Sequence, residues 1–485
     1  MKGIVAAVAL AALSLPAAAD DGVVQWDFER QKNPGRRISR RASSVEETIS
    51  NEVMNGGYFA SVSIGTPGQA LSLQLDTGSS DIWVPYSGAE SCQGGQGILG
   101  LDSGSEGCKL GSFDPDESKS FEDTGRNEFV IKYVDGSGAR GDYFEDNFQI
   151  GGVTIKNLTM GIALETDLTF GLVGVGYPIN EAATATDYEQ YPNLPVAMRD
   201  SGFIKTIAYS LWLNDLDASK GSILFGGIDT EKYQGELKVL DIIPDAKTGK
   251  YFHFNVPMTG LRGVSSTGAD YIASKELPIL TILDSGTTLT YLPQDMCDNV
   301  WKEVGAVWYE DAKAALVPCS LATNDGYFSF EFGGSQGIHI NVTMDELVAG
   351  GAGGNFPSGA QHAGQPACVF GIQNQTNGAD DPTAPYLLGD TFLRSAYVVY
   401  DLVNNQIGMA PTEFNATKSN VVSFASMSAA IPSSTVIANQ NGTSGESTPD
   451  DLTAADGFQG TASQLGGVSA IGWVVVLASA VVALL

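Results

Sequence analysis

Leu73-Gln74-Leu75-Asp76-Thr77-Gly78-Ser79-Ser80 returns far down the chain as Ile282-Leu283-Asp284-Ser285-Gly286-Thr287-Thr288. Each copy reads as a short apolar strand, residues 73–75 and 280–283, running into Asp, a hydroxyl residue, Gly and a second hydroxyl residue. Gly78 and Gly286 permit the tight backbone of such a turn and let other main chain come close. A motif repeated at this distance predicts two related lobes, each presenting one carboxylate. Two carboxylates brought together in a sheltered place share one proton, because adjacent negative charges cannot both persist there. One then serves as base and the other as acid, which makes Asp76 and Asp284 the candidate catalytic pair.

Four further segments stand in a fixed order around these turns. They are Tyr58-Phe59-Ala60-Ser61-Val62-Ser63-Ile64-Gly65-Thr66-Pro67, Tyr133-Val134-Asp135-Gly136-Ser137, Phe170-Gly171-Leu172-Val173-Gly174-Val175-Gly176, and Leu387-Leu388-Gly389-Asp390-Thr391-Phe392-Leu393. Together with the two Asp turns they resemble the pepsin-like aspartic proteases, and within them the fungal, surface-anchored yapsin-like branch, over residues 57–411. The resemblance implies an all-β, bilobal fold with two β-barrel-like lobes and a cleft between them. Residues 42–235 would form the N-terminal lobe and residues 236–413 the C-terminal lobe. It also implies an endopeptidase that activates a water between the two Asp residues, needs no cofactor or metal and works as a monomer. Ser79 and Thr287 would contact the outer carboxylate oxygens, while Thr77 and Ser285 lock the two turns together. Tyr133, Gly136 and Ser137 would lie on a mobile flap that closes over a peptide substrate, with Trp83 supporting Tyr133 by a hydrogen bond. Asp135, at the flap tip, is the specificity candidate: an acidic residue there can pair with Lys or Arg at P1.

Composition sets the outer limits. The chain has 485 residues, enough for two lobes with real cores, and 43% of them are apolar. A formal charge of −30, from 26 Lys and Arg against 56 Asp and Glu, argues against a nucleic-acid partner, which needs a basic footprint. Such acidity suits work at low pH, where protonation brings the net charge towards zero; it also simply keeps a secreted protein soluble.

The ends read as targeting segments. Residues 1–19 carry Lys2, an apolar run and Ala17-Ala18-Ala19, the pattern of a signal peptide. Residues 20–41 form a short basic propeptide with Arg36-Arg37 and Arg40-Arg41 as processing sites, suited to lying across an acidic cleft. Residues 414–467, rich in Ser, Thr, Ala, Gly and Asn, read as a disordered stalk. The uncharged run 468–485 reads as the hydrophobic tail of a GPI-anchor signal, placing the protein at the plasma membrane or cell wall through a lipid. Sequons begin at Asn157, Asn341, Asn374, Asn415 and Asn441, the mark of a glycoprotein of the secretory route. Five cysteines in such a chain suggest two disulfides and one free thiol. Cys92–Cys108 would bracket a Gly-rich loop, the resemblance implies Cys319–Cys368, and Cys297 would be left over, though spacing alone leaves other connectivities open.

Other patterns carry less. Gly95-Gln96-Gly97-Ile98-Leu99-Gly100 and Gly136-Ser137-Gly138-Ala139-Arg140-Gly141 fit a dinucleotide fingerprint but lack the strand-to-helix setting that cradles a phosphate. Gly333-Gly334-Ser335-Gln336-Gly337 fits the serine-hydrolase elbow without a following helix. A glycosidase also uses two carboxylates, but a duplicated Asp-(Thr/Ser)-Gly does not predict one. The remaining alternative is a non-catalytic binding or wall-anchored adhesion module; such a protein usually loses an Asp or the flap tyrosine, and this chain keeps Asp76, Asp284 and Tyr133.

Overall fold

The computed structural model describes residues 22–31, 57–93, 107–125, 128–133, 136–185, 189–218, 220–310, 312–375, 385–443 and 453–459. The signal peptide, the Arg pairs, Asp135, the first glycine pattern and the apolar tail lie outside the described residues. Among those described, no helix is long and apolar enough to cross a membrane.

Strands dominate because the apolar residues alternate. In Gln69–Asp76 the side chains of Leu71, Leu73 and Leu75 point to one face and are buried; in Gly57–Ile64 the same holds for Tyr58, Ala60, Val62 and Ile64. Gly57–Ile64 pairs with Gln69–Asp76 on one edge and with Gly138–Ile150 on the other, which closes the first half into a barrel. That barrel is part of a 15-stranded sheet which continues through Lys220–Phe225, Ala208–Trp212 and Ala396–Asp401 into the second half.

The duplication read in the sequence is also topological. Gln69–Asp76 runs parallel to Leu172–Gly174, with Asp76 opposite Gly174. Ile82–Pro85 then runs antiparallel to Leu172–Gly174 and parallel to Val153–Thr166. In the second half Ile279–Leu283 runs parallel to Tyr386–Leu388. Thr290–Leu292 is antiparallel to Tyr386–Leu388 and parallel to Ile372–Asn374. In each half the chain leaves a strand, turns through Asp-(Thr/Ser)-Gly, and returns beside the strand that flanks the Asp.

Two segments read from the sequence as accessory are built into the body. Val24–Gln31, inside the basic propeptide, is a strand of the central sheet between Lys220–Phe225 and Gly57–Ile64. Its Val24, Trp26 and Phe28 are buried, an alternation that matches a strand better than a segment laid across a cleft. The stalk expected from residue 414 is folded over its described part. Val421–Ser423 pairs with Gly227–Asp229, and Ser434–Val436 adds in parallel to Leu237–Asp241. Phe424 and Ile431 are buried in the cluster of Trp212, Ile228 and Tyr397. Two well-placed apolar anchors, each worth about 2 kcal/mol on burial, hold a stretch whose average composition is polar.

Both expected disulfides, Cys92–Cys108 and Cys319–Cys368, are formed, and Cys297 is free and buried on the helix Gln294–Val304. The serine-elbow pattern is a single 3-10 turn, Gly334–Gln336, followed by the strand Ile338–Thr343. Asn157, Asn341, Asn415 and Asn441 are exposed, whereas Asn374 is half-buried and its Nδ2 donates to Gln294.

Candidate active site

The two Asp turns meet face to face, and their hydroxyl residues cross-link them. Thr77 Oγ1 donates to Leu283 O (2.9 Å) and accepts from Ser285 N (3.0 Å). Reciprocally, Ser285 Oγ donates to Leu75 O (3.0 Å) and accepts from Thr77 N (3.2 Å). All four groups are buried, so each bond is held in a low-dielectric setting where losing a partner is expensive.

Each carboxylate is gripped by its own turn. Asp76 Oδ1 accepts from Gly78 N (2.8 Å) and Ser79 N (3.2 Å), and Ser79 Oγ donates to Asp76 Oδ2. Asp284 Oδ1 accepts from Gly286 N (2.9 Å), and Thr287 Oγ1 donates to Asp284 Oδ2 (2.6 Å). The glycines are required by space: a Cβ on Gly78 would lie 2.6 Å from Asp284 Oδ1, and one on Gly286 2.5 Å from Asp76 Oδ1. Each turn therefore packs its glycine against the other turn's carboxylate.

The pair is asymmetric. Asp76 is 4% exposed, while Asp284 is only partly buried. Burial, followed by the neighbouring Asp284, pushes the Asp76 carboxyl well above the ordinary carboxylate range; the hydrogen bonds from Ser79 and Gly78 oppose the shift.

Trp83 Nε1 donates to Tyr133 Oη (2.7 Å), while Gly136 and Ser137 form the described part of the hairpin turn with Tyr133.

Several residues near the turns had no local signal in the sequence. Asn180 Nδ2 donates to Gly78 O (3.3 Å) and lies 3.5 Å from His253 Nδ1. Burial holds the His253 pKa below its ordinary value, with Asp284 opposing. Behind the second turn, Asp390 N donates to Thr287 O (2.8 Å). The Asp390 carboxyl is pushed far up by burial, against the pull of Arg394 and Arg30. Arg394 is itself buried and bonded to Glu346, through its Nε to the carboxylate and its second terminal nitrogen to Glu346 O (2.6 Å). Asp81, the last residue of Asp-Thr-Gly-Ser-Ser-Asp, accepts from Tyr191 Oη (2.6 Å) and Ala182 N (2.8 Å); burial pushes it up to about 6. These groups come from distant segments, and of them only Asp390 stood within a motif quoted from the sequence.

Comparison with known proteins agrees with this geometry. Residues 57–412 match the family described as eukaryotic aspartyl protease. The chain is 40% identical over 403 residues to a probable aspartic-type endopeptidase opsB of Aspergillus fumigatus, covering 82% of this chain and 77% of the relative. It is 37% identical over 389 residues to an acid protease of Saccharomycopsis fibuligera, covering 79% and 88%. It is 34% identical over 386 residues to secreted aspartic protease 7 of Candida albicans, covering 74% and 60%. The chain belongs to the eukaryotic aspartyl protease family, has its two-lobed β fold, and is an aspartic endopeptidase.

Proposed function

We propose that the enzyme hydrolyses peptide bonds in acid through a water held between Asp76 and Asp284. The observation that carries this reading is the reciprocal locking of the two turns by Thr77 and Ser285, which fixes two gripped carboxylates against one another. Asp76, the more buried, holds the shared proton, and Asp284 takes a proton from the water as it attacks the peptide carbonyl. Asp76 then donates to the developing oxyanion, giving a gem-diol; as it collapses, Asp284 passes its proton to the departing nitrogen and Asp76 takes one back from a diol hydroxyl, so the amine leaves neutral, a carboxylic acid remains and no acyl-enzyme forms. Activity is bell-shaped in pH because a single proton must reside on the pair. The Tyr133 hairpin closes over the substrate, and Asp135 favours Lys or Arg at P1.

The setting belongs to the same proposal. A signal peptide, the sequons, two disulfides and a relative named as secreted support the secretory route. Maturation at the Arg pairs, glycosylation and GPI anchoring of a yapsin-like surface enzyme rest on the sequence alone.

The test uses the full-length protein matured in acid, given a mixed peptide library from pH 3 to 7 with and without pepstatin. Cleavage should be pepstatin-sensitive and reduced on the order of 10^3-fold or more in Asp284→Asn. Folded, processed protein that cuts nothing would favour the binding-module reading instead. The cut sites also test Asp135: Asp135→Thr should lose basic P1 residues selectively, and an unchanged P1 profile removes that assignment.

A further inference from the structure

Residues 453–459 dock on the second half of the molecule, outside the catalytic turns. Phe458 is buried and stacks on Phe328, with ring centroids 5.5 Å apart and planes 4° from parallel. Ser265 Oγ and Thr267 Oγ1 donate to Ala454 O (2.7 Å) and Thr453 O (2.6 Å). Asn324 Nδ2 donates to Gly457 O (2.9 Å), and Gln459 Nε2 to Lys302 O (2.8 Å). The first contact of the segment is with a carboxylate: Asp270 Oδ1 accepts from Thr453 Oγ1 (2.8 Å) and Asp270 Oδ2 from Ala454 N (2.6 Å).

Beneath this contact sits a second carboxyl with no donor of its own. Glu303, on the helix Gln294–Val304, is 0% exposed, and neither side-chain oxygen has a hydrogen-bond partner among the described residues. A Cβ built on Gly263 would meet Phe328, Phe458 and the Glu303 Cγ together, so the two rings and the Glu303 side chain crowd the same spot. Asp270 adjoins it and, among the described residues, is the charged group that acts on it. The other charges nearby point elsewhere: Lys302 and Asp456 are exposed, and Arg262 and His339 turn to Glu331. Two buried carboxylates with no cation cannot both be ionised, whereas one proton on Glu303 makes it a donor to Asp270.

We propose that residues 453–459 form a proton-dependent clasp, which closes on the C-terminal lobe while Glu303 is protonated and opens as Glu303 ionises. Undocking takes Phe458 and its neighbours off this spot and lets water reach Glu303, so its charged form is tolerated only in the open state. Burial, then Asp270, pushes Glu303 up to about 8 in the docked state. A carboxyl raised in the docked state favours docking fully below its ordinary value of about 4.3. That advantage declines as pH rises and is gone once pH passes about 8. In acid the clasp therefore ties the chain beyond the protease body to the helix that follows the second catalytic turn. The inference does not depend on the catalytic proposal.

Hydrogen exchange at Ala454, Gly457 and Phe458, whose amides bond in the docked segment, tests it. The full chain carries Asp284→Asn to prevent self-digestion, and rates are corrected for intrinsic exchange. Protection should fall by roughly tenfold or more between pH 5 and 8.5 and should persist at pH 8.5 in Glu303→Gln, whose amide can still donate to Asp270. Phe458→Ala, which leaves both carboxyls in place, should lose protection at both pH values and so calibrates the open state. Protection that is equal at the two pH values in the parent chain, or lost in parallel in Glu303→Gln, overturns the clasp.

Discussion

Thr77 and Ser285 illustrate how much a short hydroxyl side chain does at the centre of this enzyme. Each donates to the other half's backbone and accepts from it, so a methyl in place of Thr77 Oγ1 strands Leu283 O and Ser285 N. Thr77→Val should destabilise by about 1–3 kcal/mol, read by urea unfolding of an Asp284→Asn chain, and should lower kcat by misplacing the carboxylates. Unchanged stability would show that the two turns do not need each other. The glycines act at the same scale through exclusion, since Gly78 and Gly286 each leave room for the opposing carboxylate. These roles were legible in the repeated motif because both copies carry the same residue types. The asymmetry was not: nothing in Asp-Thr-Gly against Asp-Ser-Gly says that Asp76 is the more buried of the two.

Among the elements, the Tyr133 hairpin and the strand Ile82–Pro85 are joined by a bond from Trp83 Nε1 to Tyr133 Oη (2.7 Å). Trp83 is fully buried, so Tyr133→Phe leaves its N–H without that acceptor. The expected result is a loss of about 1–2 kcal/mol in stability and about tenfold in kcat/KM as the hairpin loses its resting position. Trp83→Phe in the same chain removes the orphaned donor and should recover part of the stability but not the rate. Equal kcat/KM in the Tyr133→Phe enzyme would remove the flap role. Strand positions were readable from period-two burial, as in Gln69–Asp76 and Gly57–Ile64. The pairing of Val24–Gln31 into the central sheet was masked by its basic surroundings, and the docking of Phe424, Ile431 and Phe458 by the polar average of their segments.

For the whole molecule, raised carboxyls and net charge act in the same direction. Burial is the first cause raising Asp76, Asp81, Glu303, Asp390 and Asp401 in the folded state. Each binds its proton more tightly when folded, so its contribution is fully present below about pH 4 and is lost as pH rises through the folded value. Every such group that is protonated in the fold and ionised in the unfolded chain tilts stability by about 1.4 kcal/mol per pH unit. The formal charge of −30 adds self-repulsion as pH rises. Thermal melts of the Asp284→Asn protein should therefore show Tm highest near pH 4–5 and falling towards pH 8. A Tm that climbs over this range would contradict the burial of these acids.

Family, β class and the two Asp turns were determined by the sequence itself, while the disulfide pairing, open to other connectivities there, was fixed by the fold. The reason is local: a strand-turn signature and its duplicate specify their own backbone whatever surrounds them. Tertiary structure alone decided which residues stand behind the turns. Asn180 reaches Gly78 and His253, Asp390 reaches Thr287, and Arg394 reaches Glu346 across long stretches of chain, with no periodicity to announce them. It also decided which polar segments fold. A single buried ring such as Phe424 or Phe458 can hold several neighbours in place, because burial depends on the cavity that receives the ring and not on the composition around it.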